Sequence, residues 1–134
     1  MPTGYSGTPL AKKLGFKAGE ALWARSMPAS VRAEIEAGVR PRFVARPGKD
    51  LAAAHVFHSR AAKLEADLKV LRPLLAGGGM VWVSWPKKAA KVETDIAEDV
   101  IRALALPLGF VDVKVCAVDA TWSGLKLVIR KELR

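Results

Sequence analysis

The residues best placed for chemistry are cations, hydroxyls and a tryptophan that follow three apolar runs. Arg25 and Ser26 end the run at residues 20–25 (EALWAR), His58 and Ser59 follow Leu51–Phe57 (LAAAHVF), and Trp85, Lys87 and Lys88 end residues 80–85 (MVWVSW). Guanidinium and ammonium groups hold phosphates or carboxylates, and an indole stacks on a ring or a cation. His58 is the candidate for acid–base work, but no activated nucleophile accompanies it. Ser26, Ser84 and Ser123 lack a nucleophile-elbow setting.

Other reactive residue types lead to plainer expectations. His55 and His58 are three apart, which on a strand points them to opposite faces and disfavours a shared metal ion. His55 is expected to be a buried strand histidine, and no metal site is expected. One cysteine, Cys116, supports neither an internal disulfide nor a zinc thiolate cluster, and it is expected to be an inert mid-strand thiol. Asp119, Thr121, Trp122 and Ser123 cluster in a turn (DATWSG). Asp and Ser there suit backbone hydrogen bonding. A tryptophan exposed at that tip would mark a partner surface, together with Asp119 and Thr121. Residues 5–9 (YSGTP) offer hydroxyls and amides to a phosphate, or form a capping segment that tethers the N-terminus.

These residues need a frame that brings strand ends together. Residues 80–85 lack polar alternation, follow Gly77, Gly78 and Gly79, and are closed by Pro86. Such a run is expected on a central strand covered on both faces, as in a parallel α/β sheet. The glycines are expected to end the preceding helix, residues 59–76. That helix has Ala61, Leu64, Leu68, Leu71 and Leu75 at three- and four-residue spacing and Ser59 as its expected cap. Residues 20–25 and 51–57 are expected strands, and residues 41–47 at best a short strand between prolines. Residues 26–38 read as a helix with Pro28 in its first turn and Val31, Ile35 and Val39 as its stripe. A short helix over 10–14 stops at Gly15. Thr94 or Asp95 is expected to cap a helix running to about Leu106. Val111, Val113, Val115 and Ala117 then alternate with polar neighbours, as do Leu125, Leu127 and Ile129, which predicts an antiparallel hairpin.

Strands alternating with helices imply a mostly parallel sheet with right-handed crossovers. The chain has 134 residues, enough for one domain and its core. Residues 1–15 are expected to act as an N-terminal capping segment. No apolar run nears the ~18 residues of a membrane helix, and the N-terminal segment has no apolar signal core. No membrane association and a reducing cytoplasm are therefore expected. The net charge is +9, and residues 1–60 are the more basic part, with ten Lys and Arg against four Asp and Glu. That field attracts phosphorylated metabolites, acidic proteins or nucleic acid. In an open parallel sheet ligands bind beyond the carboxyl ends of the strands. Arg25, Ser26, His58, Ser59, Trp85, Lys87 and Lys88 are thus expected to share one basic crevice with an aromatic wall.

The run LRPLLAGGGMVWVSWPKK, a helix and a closing hairpin resemble the second half of a class I, S-adenosylmethionine-dependent methyltransferase fold. The whole chain resembles a bacterial domain-of-unknown-function family (family 3052), through YSGTPLAKKLG at 5–15, VWVSWPKK at 81–88 and VDVKVCAVDATWSGLKLVIRK at 111–131. The resemblance implies a Rossmann-like, three-layer α/β sandwich and transfers no catalytic residue. Methyltransferases of this type have a glycine-rich turn after the first strand and an acidic ribose ligand on the second. Here Ser26-Met27-Pro28-Ala29 follows the first strand, and Arg42 and Arg46 stand in the second. No cofactor is expected. The expected function is a non-catalytic domain binding an anionic ligand or acidic partner. The alternatives are a degenerate methyltransferase-like enzyme or subunit, and a basic protein associated with nucleic acid.

Overall fold

The apolar runs become the inner strands of one six-stranded sheet. The structure, a computed structural model, describes residues 8–134, so Tyr5, Ser6 and Gly7 of the expected capping segment lie outside it. Helix α1 (Leu10–Leu14) precedes strand β1 (Ala21–Arg25), helix α2 (Ala29–Gly38), strand β2 (Arg42–Val44) and strand β3 (Leu51–Phe57). Helix α3 (Ala61–Leu74) then leads into strand β4 (Leu75–Pro86), helix α4 (Glu98–Ala105), and strands β5 (Phe110–Ala117) and β6 (Trp122–Ile129). The strand order is β2-β1-β3-β4-β6-β5. The first four strands are parallel, and β6 and β5 are antiparallel additions.

Helices cover both faces, giving the expected three-layer α/β sandwich. Alternate residues along each central strand feed opposite cores. Trp23, Val56, Val81, Val83 and Trp85 pack under α3 and α4, with Leu64, Leu68 and Leu71 from α3. Leu22, Ala53, Phe57 and Trp82 pack under α1 and α2, with Leu10, Leu14, Val31 and Ile35. The continuous apolar run in β4 thus serves two cores at once.

Four details differ from the sequence reading. Strand β4 starts at Leu75 and runs through the three glycines instead of following them. Gly79 is required there, because a Cβ would lie 2.9 Å from the Leu51 carbonyl oxygen and 2.8 Å from Leu75. Ser59 does not cap α3. Asp95, brought from the β4–α4 loop, accepts the Ala61 amide at 2.7 Å instead. Nor does Thr94 or Asp95 cap α4, which starts at Glu98. In β5 the register shifts between Asp112 and Lys114. The extra residue breaks the alternation, and Val113 and Val115 are exposed where the period-two pattern places them inward.

The cap from Asp95 makes a checkable prediction. Asp95→Ala should cost about 1 kcal/mol, the usual loss for a helix N-cap carboxylate, and should be seen as a lower urea midpoint. A change below about 0.3 kcal/mol would mean that the α3 amide is equally well satisfied by water.

Candidate functional site

Strand order decides where a ligand has room. From β1 the chain passes to β2 on one side, then returns to β3 on the other. The crevice at such a reversal opens beyond the carboxyl ends of β1 and β3. Arg25 ends β1 and pairs in register with Val56 of β3, two residues before His58. A cavity of about 360 Å³ opens here, lined by Arg25, Ser26, His58, Lys63, Ala66 and Asp67.

Asp67 organises this crevice. It lies on α3 between Leu64, Leu68 and Leu71, on the face that the helical period turns toward the sheet. The residue is 7% exposed. Burying a carboxylate is costly unless it is bonded, and here it is bonded on both oxygens. Arg25 donates from Nη2 to Oδ1 at 3.2 Å and from Nε to Oδ2 at 3.3 Å. His58 Nε2–H donates to Oδ2 at 2.6 Å. The Arg25 guanidinium also lies 4.9 Å from the Trp23 ring centre, which holds it flat. His58 is thereby oriented by its Nε2, while Nδ1 makes no hydrogen bond among the described residues. Lys63 adds a second, exposed cation at the rim. Ser26, where the chain leaves β1, takes φ 58°. That left-handed conformation costs a non-glycine residue about 1 kcal/mol or more.

The expected single crevice is two clefts. Arg25, Ser26 and His58 line the one above. Trp85, Lys87 and Lys88 line another, of about 610 Å³, with Glu93, Asp95 and Ile96. Glu93 and Asp95 lie in the same cleft, bonded to Arg60 and to the Ala61 amide, and Trp85 is buried at 8% exposure, so little of its ring faces the cleft. Ser59 lines neither cleft. Its carbonyl accepts the Thr94 hydroxyl at 2.8 Å and the Asp95 amide at 3.2 Å, forming the seam between them.

The hairpin residues are structural in their contacts. Asp119 Oδ1 accepts the amides of Thr121 and Trp122, each at 2.8 Å, and the Thr121 carbonyl accepts the Lys87 amide at 2.8 Å. Trp122 does not project from a tip. It belongs to β6, opposite Pro86, and meets the Phe57 ring edge-on at 5.1 Å. Burial pushes the half-buried Cys116 thiol up, against the pull of Lys13 and Lys114, so it stays protonated and unreactive. Among the described residues no group of three metal-ligating side chains converges.

His55, as its spacing from His58 predicts, lies on the opposite face. It is fully buried, shares a 2.8 Å hydrogen bond between Nε2 and Ser84 Oγ, and stacks on Phe57 at 4.4 Å. Sequence reasoning missed Asp67. The available signal was a carboxylate inside the leucine stripe of α3, a position that polar residues occupy only when a partner awaits them.

No family model matches this chain, and no curated protein is significantly similar to it. Solved structures do match. A candidate type 11 methyltransferase from Sulfolobus solfataricus aligns with a TM-score of 0.63 and 10% identity, over 86% of each chain. A SAM-dependent methyltransferase from Aquifex aeolicus aligns with a TM-score of 0.62 and 11% identity, over 90% of this chain and 87% of its own. Magnesium protoporphyrin IX methyltransferase from Synechocystis PCC 6803 gives 0.57 and 12%, over 90% and 74%. The fold is therefore the Rossmann-like fold of class I S-adenosylmethionine-dependent methyltransferases. Among the described residues no helix is long and apolar enough to cross a membrane.

Proposed function

We propose that this chain is a methyltransferase-like domain that binds a small anionic ligand in the crevice at Arg25, Ser26, His58 and Lys63, and does not transfer methyl groups. The observation that carries this reading is the Arg25–Asp67–His58 cluster at the strand-order reversal. Asp67 is saturated by two cationic or donor partners, so its charge is spent within the protein. Arg25 is still half exposed on its outer side, and with Lys63 it leaves the mouth of the crevice positive. A phosphate or carboxylate group is the ligand such a mouth selects.

The residues present do not fit S-adenosylmethionine in its usual pose. The turn after β1 has side chains at Ser26 and Met27 and the ring of Pro28, where close backbone approach is needed. Strand β2 presents Arg42, which cannot accept hydrogen bonds from ribose hydroxyls. No methyl-transfer step is therefore assigned to this chain.

A thermal-shift panel of phosphorylated metabolites, nucleotides and S-adenosylmethionine tests the reading. A ligand at 100 times its dissociation constant stabilises by about 2.7 kcal/mol, and this is expected for a phosphorylated compound. Arg25→Ala should weaken its binding about tenfold or more, the loss of one charge-assisted hydrogen bond. One-site micromolar binding of S-adenosylmethionine by calorimetry would overturn it.

A second reading, a degenerate enzyme, is favoured by one observation. His58 is aligned by a buried carboxylate at 2.6 Å, and its other nitrogen makes no hydrogen bond among the described residues, which is the geometry of a general base. Turnover of any panel compound that is lost in His58→Gln, with binding retained, would favour this reading over simple binding.

A further inference from the structure

Some cations of the described residues are paired with acids and others are not. Arg25, Arg32, Arg60, Lys69, Arg102 and Arg130 each meet a carboxylate within 4 Å. Arg40, Arg42, Arg46 and Lys49 are among those that do not, and they lie close together in sequence. They are exposed, and their side chains make no hydrogen bond or ion pair among the described residues. Arg42, Arg46 and Lys49 line one depression of about 250 Å³, beside Ala21, Val44, Gly48 and Leu51, with Asp50 as its one acid. Arg40 lies two residues before Arg42.

The fold gathers them. Strand β2 has three residues, and only residues 45–50 return the chain across the edge of the sheet to the start of β3. A parallel crossover normally takes a dozen or more residues and a helix. The short return draws residues on both sides of β2 into one small area. Ala21 and Leu51 begin β1 and β3, so the depression lies at the opposite end of the sheet from the Arg25–His58 crevice.

We infer that this edge is a nucleic-acid surface that grips the phosphate backbone without reading sequence. Its chemistry selects that partner over an acidic protein. Strand β2 is too short, and too closely bounded by Pro41 and Pro47, for an added strand to pair along it. The exposed large apolar residues of the described chain, Val70, Val92, Leu106, Val113, Val115 and Leu133, all lie outside this segment. A protein partner needs such an apolar anchor, whereas phosphate binding needs only unpaired charge. Three of the four cations are arginines, whose forked donors match phosphate oxygens.

The test is fluorescence anisotropy of the whole chain with a labelled 20-base-pair duplex and a single strand of equal length, over a salt series. The affinity should fall with salt with a log–log slope of about −3 to −4 on the duplex, for some four phosphate contacts. Arg42→Ala/Arg46→Ala/Lys49→Ala should bind at least tenfold more weakly at low salt and lose about 2 to 3 units of slope. A control of equal charge, Lys12→Ala/Lys69→Ala/Lys131→Ala, should change affinity by less than threefold. Circular dichroism confirms that both variants fold. Wild-type-like binding by the first variant overturns the inference, as does equal loss in the control. Tighter binding to labelled polyglutamate or to anionic vesicles than to either oligonucleotide also overturns it, in favour of an acidic protein or a lipid surface.

Discussion

Replacing Trp82 with alanine should destabilise the protein by about 3–5 kcal/mol, the usual cost of deleting a large buried aromatic side chain. Trp82 is fully buried in the central strand β4. Its indole fills the core under α1 and α2, and Gly124 across the sheet lacks the Cβ that would otherwise lie 3.2 Å from the ring. Its Nε1–H donates to the Leu14 carbonyl at 2.7 Å, which ties the end of α1 to the sheet where Gly15 turns with φ 76°. Trp82→Ala opens a cavity and orphans that carbonyl together. Trp82→Phe keeps most of the packing and loses only the donor, so it should cost about 1–3 kcal/mol. Urea unfolding of the three proteins checks the ordering. With a total stability of order 5–15 kcal/mol, the alanine variant should be at the margin of folding. A loss below about 1 kcal/mol would mean that α1 is not held through this residue.

The second large effect is a pH dependence set by His55. Burial pushes its pKa down to about 3, from an ordinary value of 6.5. The neutral ring is the native form, stacked on Phe57 and bonded to Ser84, and its Nδ1 has no partner among the described residues. As pH falls below about 6.5 the unfolded chain takes up a proton that the native protein refuses until about pH 3. This contribution is therefore fully present above pH 6.5 and is lost as pH falls through that window. The slope is about 1.4 kcal/mol per pH unit. Between pH 7 and pH 5 the wild type should lose about 2 kcal/mol more than His55→Gln, which cannot titrate. Comparing the two proteins cancels whatever is common to both. Equal losses in both would show that His55 is reached by solvent and charges without penalty.

Much of the architecture was legible in the chain because it rests on local physics. An apolar run without alternation can only be satisfied between two covered faces, which made β4 central and the sheet parallel. The leucine spacing of α3 determined its buried face, and Leu68 is fully buried as that stripe requires. The three-residue spacing of His55 and His58 separated them to opposite cores. The resemblance of the helix–strand–hairpin order to methyltransferases agrees with the structural neighbours.

Tertiary structure decided whatever depends on groups far apart in sequence. Asp95 caps a helix that starts 34 residues earlier, because its loop packs on the seam at Ser59. One additional residue in β5 leaves Val113 without a partner in the register, and Val115, although opposite the buried Leu125, stays exposed on the outermost strand. Strand-end residues predicted to share one crevice divide between two clefts, because the Ser59 seam lies between β3 and β4. Asp67 reads locally as a flaw in an apolar stripe. Only the crossing of α3 over the ends of β1 and β3 supplies Arg25 and His58, 42 and 9 residues away, and makes that flaw the centre of the site. Periodicity reports which way a side chain faces, and strand order reports whom it meets. The second is a property of the closed sheet, which no local stretch of this chain contains.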